Sequence, residues 1–269
     1  MIEAGILLAI ILALIGAMLA AWRLVRGPAR RRPGLLVRIA ALSLVVVPLV
    51  LVAAWQLTKA TTFQLLGEIV PRVETTAPLV ALTLDDGPTA RYTEEVLTIL
   101  REEGVKATFF VVGQALERNP AECQKIVADG HELGNHSTSH QRLVFRSYSF
   151  IRQEIEQTDQ LIRLCGYEGD IQFRPPNGKK LVLLPYYLSR TGRKSIFWDV
   201  GPESERDVAA DADKIVDYVL EHTRPGSIIL LHVMYESRAA SRQALPGIIQ
   251  GLEAQGYRFV TVSELLAAP

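Results

Sequence analysis

Two patterns of apolar spacing divide the chain. Before residue 56 the apolar residues run without a polar face: 2–22 holds one charge, Glu3, and 35–55 holds only Arg38. Each run supplies about the 20 apolar residues needed to cross a bilayer. Each also ends in Trp, a side chain favoured at the membrane–water boundary. Pro48 does not argue against a span, since membrane helices tolerate proline. After Pro78 the pattern changes. Short β-rich apolar runs at 79–84, 107–112, 195–198, 227–231 and 257–262, with shorter candidates at 132–135 and 171–173, are separated by helical patterns. The helical stretches are 92–103, 120–129, 148–165, 185–191, 209–222 and 238–255. Asn119 and Pro120 read as an N-cap and first helical residue. Strand and helix alternating about seven times predict parallel βαβ units, hence an open doubly wound sheet or a barrel. Either architecture gathers functional side chains at the C-terminal ends of its strands.

Charge sharpens the first region. Arg23, Arg26, Arg30, Arg31, Arg32 and Arg38 lie in or beside the turn between the apolar runs, with no acidic residue among them. Short Arg-rich loops stay on the cytoplasmic side. The pattern predicts a two-helix transmembrane hairpin with its turn inside and both ends outside. A signal peptide would carry its charges before the apolar stretch, and a buried helical hairpin is the other alternative. The expected domains are a hairpin over 1–55, a mixed linker over 56–78 and a catalytic domain over 79–269, facing the extracytoplasmic space. Residues 1–38 hold six arginines and one glutamate, so the remainder, with 23 basic and 28 acidic residues, carries a net charge of −5. That excludes an electrostatic nucleic-acid footprint. Cys123 and Cys165 would both meet an oxidising compartment, where a disulfide or two buried thiols fits equally.

The chemistry-bearing residues fall at predicted strand ends. Asp85 and Asp86 end the first clear strand, His136 and His140 follow the third, Arg174 the fourth, and His232 ends the sixth. "HSTSH" (136–140) has i, i+4 spacing; on a helical turn both imidazoles would share a face and reach one ion. A polar loop with two hydrogen-bonded histidines is the alternative for the pair alone. A carboxylate from a neighbouring strand end completes a two-His, one-Asp donor set with a position left open for water. The adjacent aspartates then divide the work, one binding a cation and the other handling protons, with the cation offsetting their repulsion.

The segments "TLDDGP", "NHSTSH", "FRPPNG" and "IILLH", in this order and spacing, resemble the signature segments of polysaccharide deacetylases of the NodB-homology type, carbohydrate esterase family four. The resemblance runs over about 79–266. It implies a distorted (β/α)₇ barrel and a divalent metal, zinc being the first expectation. It also implies metal-assisted removal of N-acetyl groups from a glycan, with peptidoglycan the first guess. By position, Asp85 resembles the general base, Arg174 the residue that pairs with it, and His232 the general acid. Asp86, His136 and His140 resemble the metal ligands, and Asn177 supplies a backbone N–H to the oxyanion. Two departures stand out. Asn177 replaces an aromatic residue, and "WDVGPESERD" replaces the segment whose aspartate supports the acid histidine, leaving Asp199 or Glu203 as substitutes. Two rivals follow: a deformylase or deacetylase of a lipid-linked sugar, and a catalytically silent glycan-binding protein. His131 reads as structural, His222 as a helix-end residue without a catalytic role, and Lys179 and Lys180 as solvated surface.

Overall fold

The computed structural model describes residues 35–268 together with Gly16 and Leu19. Apart from those two residues, the first apolar run lies outside the described residues, as does the arginine-rich turn over 23–34. The second run is a single helix, α1 (Leu35–Lys59), of 25 residues. At 1.5 Å per residue it is about 37 Å long, against about 30 Å of hydrocarbon core. Pro48 sits inside it. Leu44, Leu51 and Trp55 are exposed, and Lys59 Nζ lies over the Trp55 ring. Among the described residues this is the one helix long and apolar enough to cross a membrane. The chain divides into two compact units, 1–60 and 61–269.

The second unit is an α/β fold on a parallel sheet. Its centre is β2 (Leu79–Asp85), buried along its whole length, as a strand covered on both faces must be. It pairs in parallel with β3 (Thr108–Val111) and β6 (Ile228–His232), and β4 (Glu132–Asn135) adds beyond β3. β7 (Arg258–Phe259) joins the start of β2. A separate pair, β1 (Ile69–Val70) with β5 (Ser195–Ile196), is also parallel. Single bridges at Asn135–Phe173, Phe173–Ser195 and Val200–Ile229 carry the pairing from β4 round to β6.

The helices cover this sheet with apolar stripes. α2 (Thr93–Glu102) turns Val96, Leu97 and Leu100 inward, and α8 (Ala239–Ala254) turns Leu245, Ile248 and Leu252 into the same cluster. α5 (Tyr148–Leu164) and α6 (Leu183–Arg190) share a smaller core around Phe173. α4 (Pro120–Ala128) begins at Pro120 as expected. Asn119, however, makes no side-chain cap; its amide donates to the carbonyls of Pro88 and Ala115. A disulfide joins Cys123 of α4 to Cys165 at the end of α5.

Differences from the sequence pattern have local causes. The apolar run 257–262 gives only two strand residues because Thr261 starts α9 (Val262–Leu266) with a capping box to Glu264. Of the run 195–198 only Ser195–Ile196 is strand: the ladder to β1 closes with the Phe197 N–H donated to the Val70 carbonyl, and the Asp199 N–H turns to the Ile228 carbonyl. The candidate at 171–173 contributes bridges at Phe173 alone. β1 arises inside the segment read as linker, and α3 (Gly113–Arg118) has too few residues to show a period. Gly226 fixes how that segment meets the sheet. It holds a φ of +82°, and a Cβ there would fall 1.8 Å from the Val73 carbonyl oxygen. Any other residue would push the two chains apart.

Candidate active site

One cavity of about 350 Å³ opens at the C-terminal ends of β2, β4 and β6, and Asp85, Asp86, His136, His140 and His232 all line it. Asn177 and Trp198 stand on its wall. Arg174 is completely buried behind it. The structure thus brings together the strand-end residues that the alternation predicted would meet.

The two adjacent aspartates have different partners. Asp85 Oδ1 accepts from Arg174 Nη1 at 2.6 Å, while its Oδ2 lies 3.6 Å from His136 Nε2. Arg174 has further partners: Nη1 also donates to Thr83 Oγ1, Nη2 to the Phe197 carbonyl and Nε to the Ile196 carbonyl. Its guanidinium lies over the Phe110 ring, 4.1 Å from the centroid. Burial alone would raise the Asp85 carboxyl. The charge of Arg174, then that of His232 and the Arg174 hydrogen bond, outweigh burial and hold it below the usual carboxylate value. Asp86 departs from the strand with a φ of 76°. Its Oδ1 lies 3.1 Å from His140 Nε2 and 3.6 Å from His136 Nε2.

The two histidines do not share a helix. Residues 136–140 form an irregular loop with Ser137 and His140 in the left-handed region. Side chains brace it. Asn135 Oδ1 accepts from the Ser137 N–H, Ser137 Oγ from the His140 N–H, and the Glu154 carboxylate of α5 from Ser139. The rings still approach to 4.9 Å between centroids. Four of the five non-glycine residues with positive φ among those described, Asp86, Ser137, His140 and Asn177, belong to this rim. Such strain gathers where surrounding structure holds functional groups in place. Gly178, beside Asn177, has a φ of +60° and leaves only 3.2 Å between a would-be Cβ and the Trp198 ring.

This donor set fits a divalent cation. One atom each from Asp86, His136 and His140 lie within 4.8 Å of one another, and Asp86 Oδ1 is buried without a hydrogen-bond partner. His136 Nδ1 is 2.8 Å from the Arg174 carbonyl oxygen. That oxygen can only accept, so Nδ1 carries the proton and Nε2 turns its lone pair towards Asp86. Burial lowers the His136 pKa in spite of Asp85 and Asp86, keeping the ring neutral as a ligand must be.

His232 approaches Asp86 from the other side, with Nε2 3.7 Å from Oδ2. Its Nδ1 meets Glu203 Oε2 at 2.5 Å, and its backbone N–H donates to the same carboxylate. Ser241 donates to Glu203 as well. Burial opposes a charge on His232. The Glu203 hydrogen bond and the charges of Asp85, Glu203 and Asp86 prevail and raise its pKa. Glu203, from the single turn Pro202–Ser204, therefore occupies the supporting place that the sequence left open between two acids. Asp199 instead accepts from Ser227 and the Ile228 N–H at the opposite end of β6. Tyr235 escaped the sequence reading. Its phenol bonds to Asp86 and is pushed up to about 12, first by burial and then by the Asp86 charge.

The weaker candidates separate. His131 is buried, accepts from the Ala107 N–H at Nδ1, and is lowered to about 4, chiefly by burial. His222 sits at the end of α7 (Ala212–His222), stacked on Tyr218. Lys180 is not solvated surface: it is buried, with Nζ 4.8 Å from the Phe197 ring centre.

The family model described as polysaccharide deacetylase matches residues 72–196. A peptidoglycan-N-acetylglucosamine deacetylase of Bacillus cereus is 32% identical over 200 residues, 74% of this chain and 93% of that protein. The crystal structure of the Bc1960 peptidoglycan N-acetylglucosamine deacetylase superposes with a TM-score of 0.67 at 33% identity, over 72% of this chain and 90% of the other. A family pseudoenzyme from Bacillus anthracis gives a TM-score of 0.65 at 26% identity, over 77% and 70%.

Proposed function

The chain belongs to the polysaccharide deacetylase family, carbohydrate esterase family four, and on that premise we propose that it is a membrane-anchored, metal-dependent hydrolase. In this reading it removes N-acetyl groups from an extracytoplasmic glycan, peptidoglycan or a related N-acetylglucosamine polymer. The observation that carries it is the Asp86 carboxylate set between His136 and His140 on one side and His232 on the other. The circuit of strand pairings supports a distorted (β/α)₇ barrel over 79–269, with Ile69–Val70 of the linker added to it. The helix α1 supports the anchor as the second arm of a hairpin over 1–55. The Cys123–Cys165 disulfide supports an oxidising, extracytoplasmic location.

Asp86, His136 and His140 hold the cation, with zinc the first candidate for two imidazoles and a carboxylate. A divalent ion there supplies a Lewis acid and eases loss of a proton from an attacking water. The remaining work belongs to the chain. Arg174 grips one oxygen of Asp85 and keeps the group ionised, so Oδ2 accepts the proton from water as general base. Asn177 lines the cavity, and its backbone N–H is the proposed donor to the oxyanion; such donors are worth about 3–4 kcal/mol. His232, held as the charged form by Glu203, gives its Nε2 proton to the departing amine, a poor leaving group until protonated.

The Bacillus anthracis pseudoenzyme motivates the silent-binder alternative, while the base and acid flanking the donor set speak for catalysis. Acetate release from N-acetylglucosamine oligomers and peptidoglycan, measured with metal content for wild type and Asp85→Asn, decides between them. Release by wild type alone supports the hydrolase. A metal-loaded wild type that frees no acyl group from any N-acylated sugar overturns it.

A further inference from the structure

Exposed apolar side chains are unevenly placed over the second unit. Phe63, Leu65 and Leu66 are exposed in the segment that follows α1. This segment packs on α6, where Gly67 leaves 3.1 Å between a would-be Cβ and Ser189 Cβ. α6 sends Leu184, Tyr187 and Leu188 into the core and leaves Leu183 and Tyr186 outward, with Val182 exposed just before them. The Tyr186 ring lies 6.1 Å from that of Tyr148, which opens α5. Phe145, three residues before Tyr148, is 85% exposed.

An ordinary outward face looks different. α7 presents Asp213, Lys214, Asp217 and Glu221 to solvent. The stretch 177–194 holds no acidic residue, but most of its cations are engaged: Lys180 is buried, Arg193 pairs with Asp159 and Lys194 with Glu68, while Arg190 is exposed beside the apolar side chains. Apolar and aromatic side chains set outward within a few residues of a helix long and apolar enough to cross a bilayer are the composition of a face that lies at the lipid–water boundary. Chain length narrows the occupant further. Four peptide units separate Lys59 from Phe63, so Phe63 stays within about 14 Å of the end of α1.

We propose that this face, Phe63–Leu66 with the outward side of α6, rests on a phospholipid surface as a second membrane contact. The inference rests on the anchoring of α1 given above. Tyr148, in ring contact with Tyr186 of this face, lies eight residues along the chain from His140, so the face would keep the cavity rim near the headgroups. Glycan carried at the membrane surface is then favoured over distant polymer.

The test uses the full chain in nanodiscs of phosphatidylglycerol and phosphatidylethanolamine containing a phospholipid with a photoactivatable headgroup, with adducts mapped by mass spectrometry. Adducts on α1 and on the peptides holding Phe63–Leu66 and Leu183–Tyr186, above the level at Leu164, are expected; Leu164 is apolar and 77% exposed at the end of α5. Adducts on α1 without the face overturn the inference and leave the anchor standing. Absence from both overturns the anchor as well. A variant carrying Phe63→Ser, Leu65→Ser, Leu183→Ser and Tyr186→Ser is expected to lose the face adducts and hydrolyse soluble N-acetylglucosamine oligomers at the wild-type rate, which certifies its folding. Its turnover of a lipid-linked N-acetylglucosamine in the same discs should fall about tenfold through lost effective concentration. An unchanged ratio of the two activities overturns the proposal.

Discussion

His136 and His232 face the same carboxylate from opposite sides, and each is fixed from behind through Nδ1. Only the fixing group differs. Behind His136 stands the neutral Arg174 carbonyl, and burial lowers its pKa. Behind His232 burial also opposes charge, yet the Glu203 carboxylate and the aspartates raise its pKa. One exchange, amide oxygen for carboxylate, suits the first to the ligand role and the second to the proton-donor role proposed for them. The identity of a histidine in this site is set by the group it touches on its far side.

Breaking the ligand side should cost most. Asp86→Ala is expected to lose the bound metal and lower kcat/KM by about a thousandfold or more, since a Lewis acid contributes several kcal/mol. Metal analysis alongside acetate release checks this, and a variant that keeps both its ion and its rate removes Asp86 from the donor set. On the acid side, His232→Asn should lower kcat by about 10²–10⁴ while metal content stays at the wild-type level. Glu203→Gln tests the contrast itself. It should cost about 10–100-fold, mostly in kcat. The alkaline limb of kcat/KM should move to lower pH, because the anion that keeps His232 protonated is gone. Asp199→Asn is the matched control, with kcat and the pH profile expected to hold. A shift with Asp199→Asn and none with Glu203→Gln would reverse the assignment. The smallest effect on the site belongs to the disulfide, which closes 42 residues. Replacing both cysteines by Ser should cost about 4 kcal/mol, a Tm loss on the order of 10 °C, with kcat/KM unchanged in the cold.

The same contrast explains what could be read in advance. β2 and β6 are apolar runs that end on polar residues, and β4 is a short strand in the same alternation, so alternation located Asp85, Asp86, His136 and His232 on one rim. The i, i+4 spacing of His136 and His140 suggested the right neighbours for the wrong reason. A loop braced by Asn135 and Glu154 brings them together, and tertiary hydrogen bonds of that kind leave no period in the sequence. Glu203 was harder still. It sits in a single irregular turn, and only three-dimensional placement separates it from Asp199, four residues earlier and spent on the start of β6. Lys180 looked like solvent-facing charge because its apolar cover, Phe197, is far along the chain. T-V-S-E at 261–264 carried a readable capping box that ended the last strand early; the apolar run around it concealed the signal.

Arg174 touches the base and the ligand side by different means: its guanidinium holds Asp85, whereas its carbonyl holds His136. A main-chain oxygen is present whatever side chain the position carries. Substitution at 174 should therefore uncouple the pair, leaving an imidazole still aimed at its ion beside a carboxylate that has lost its orientation. Loss of turnover and retention of metal would then be inherited separately at this one position.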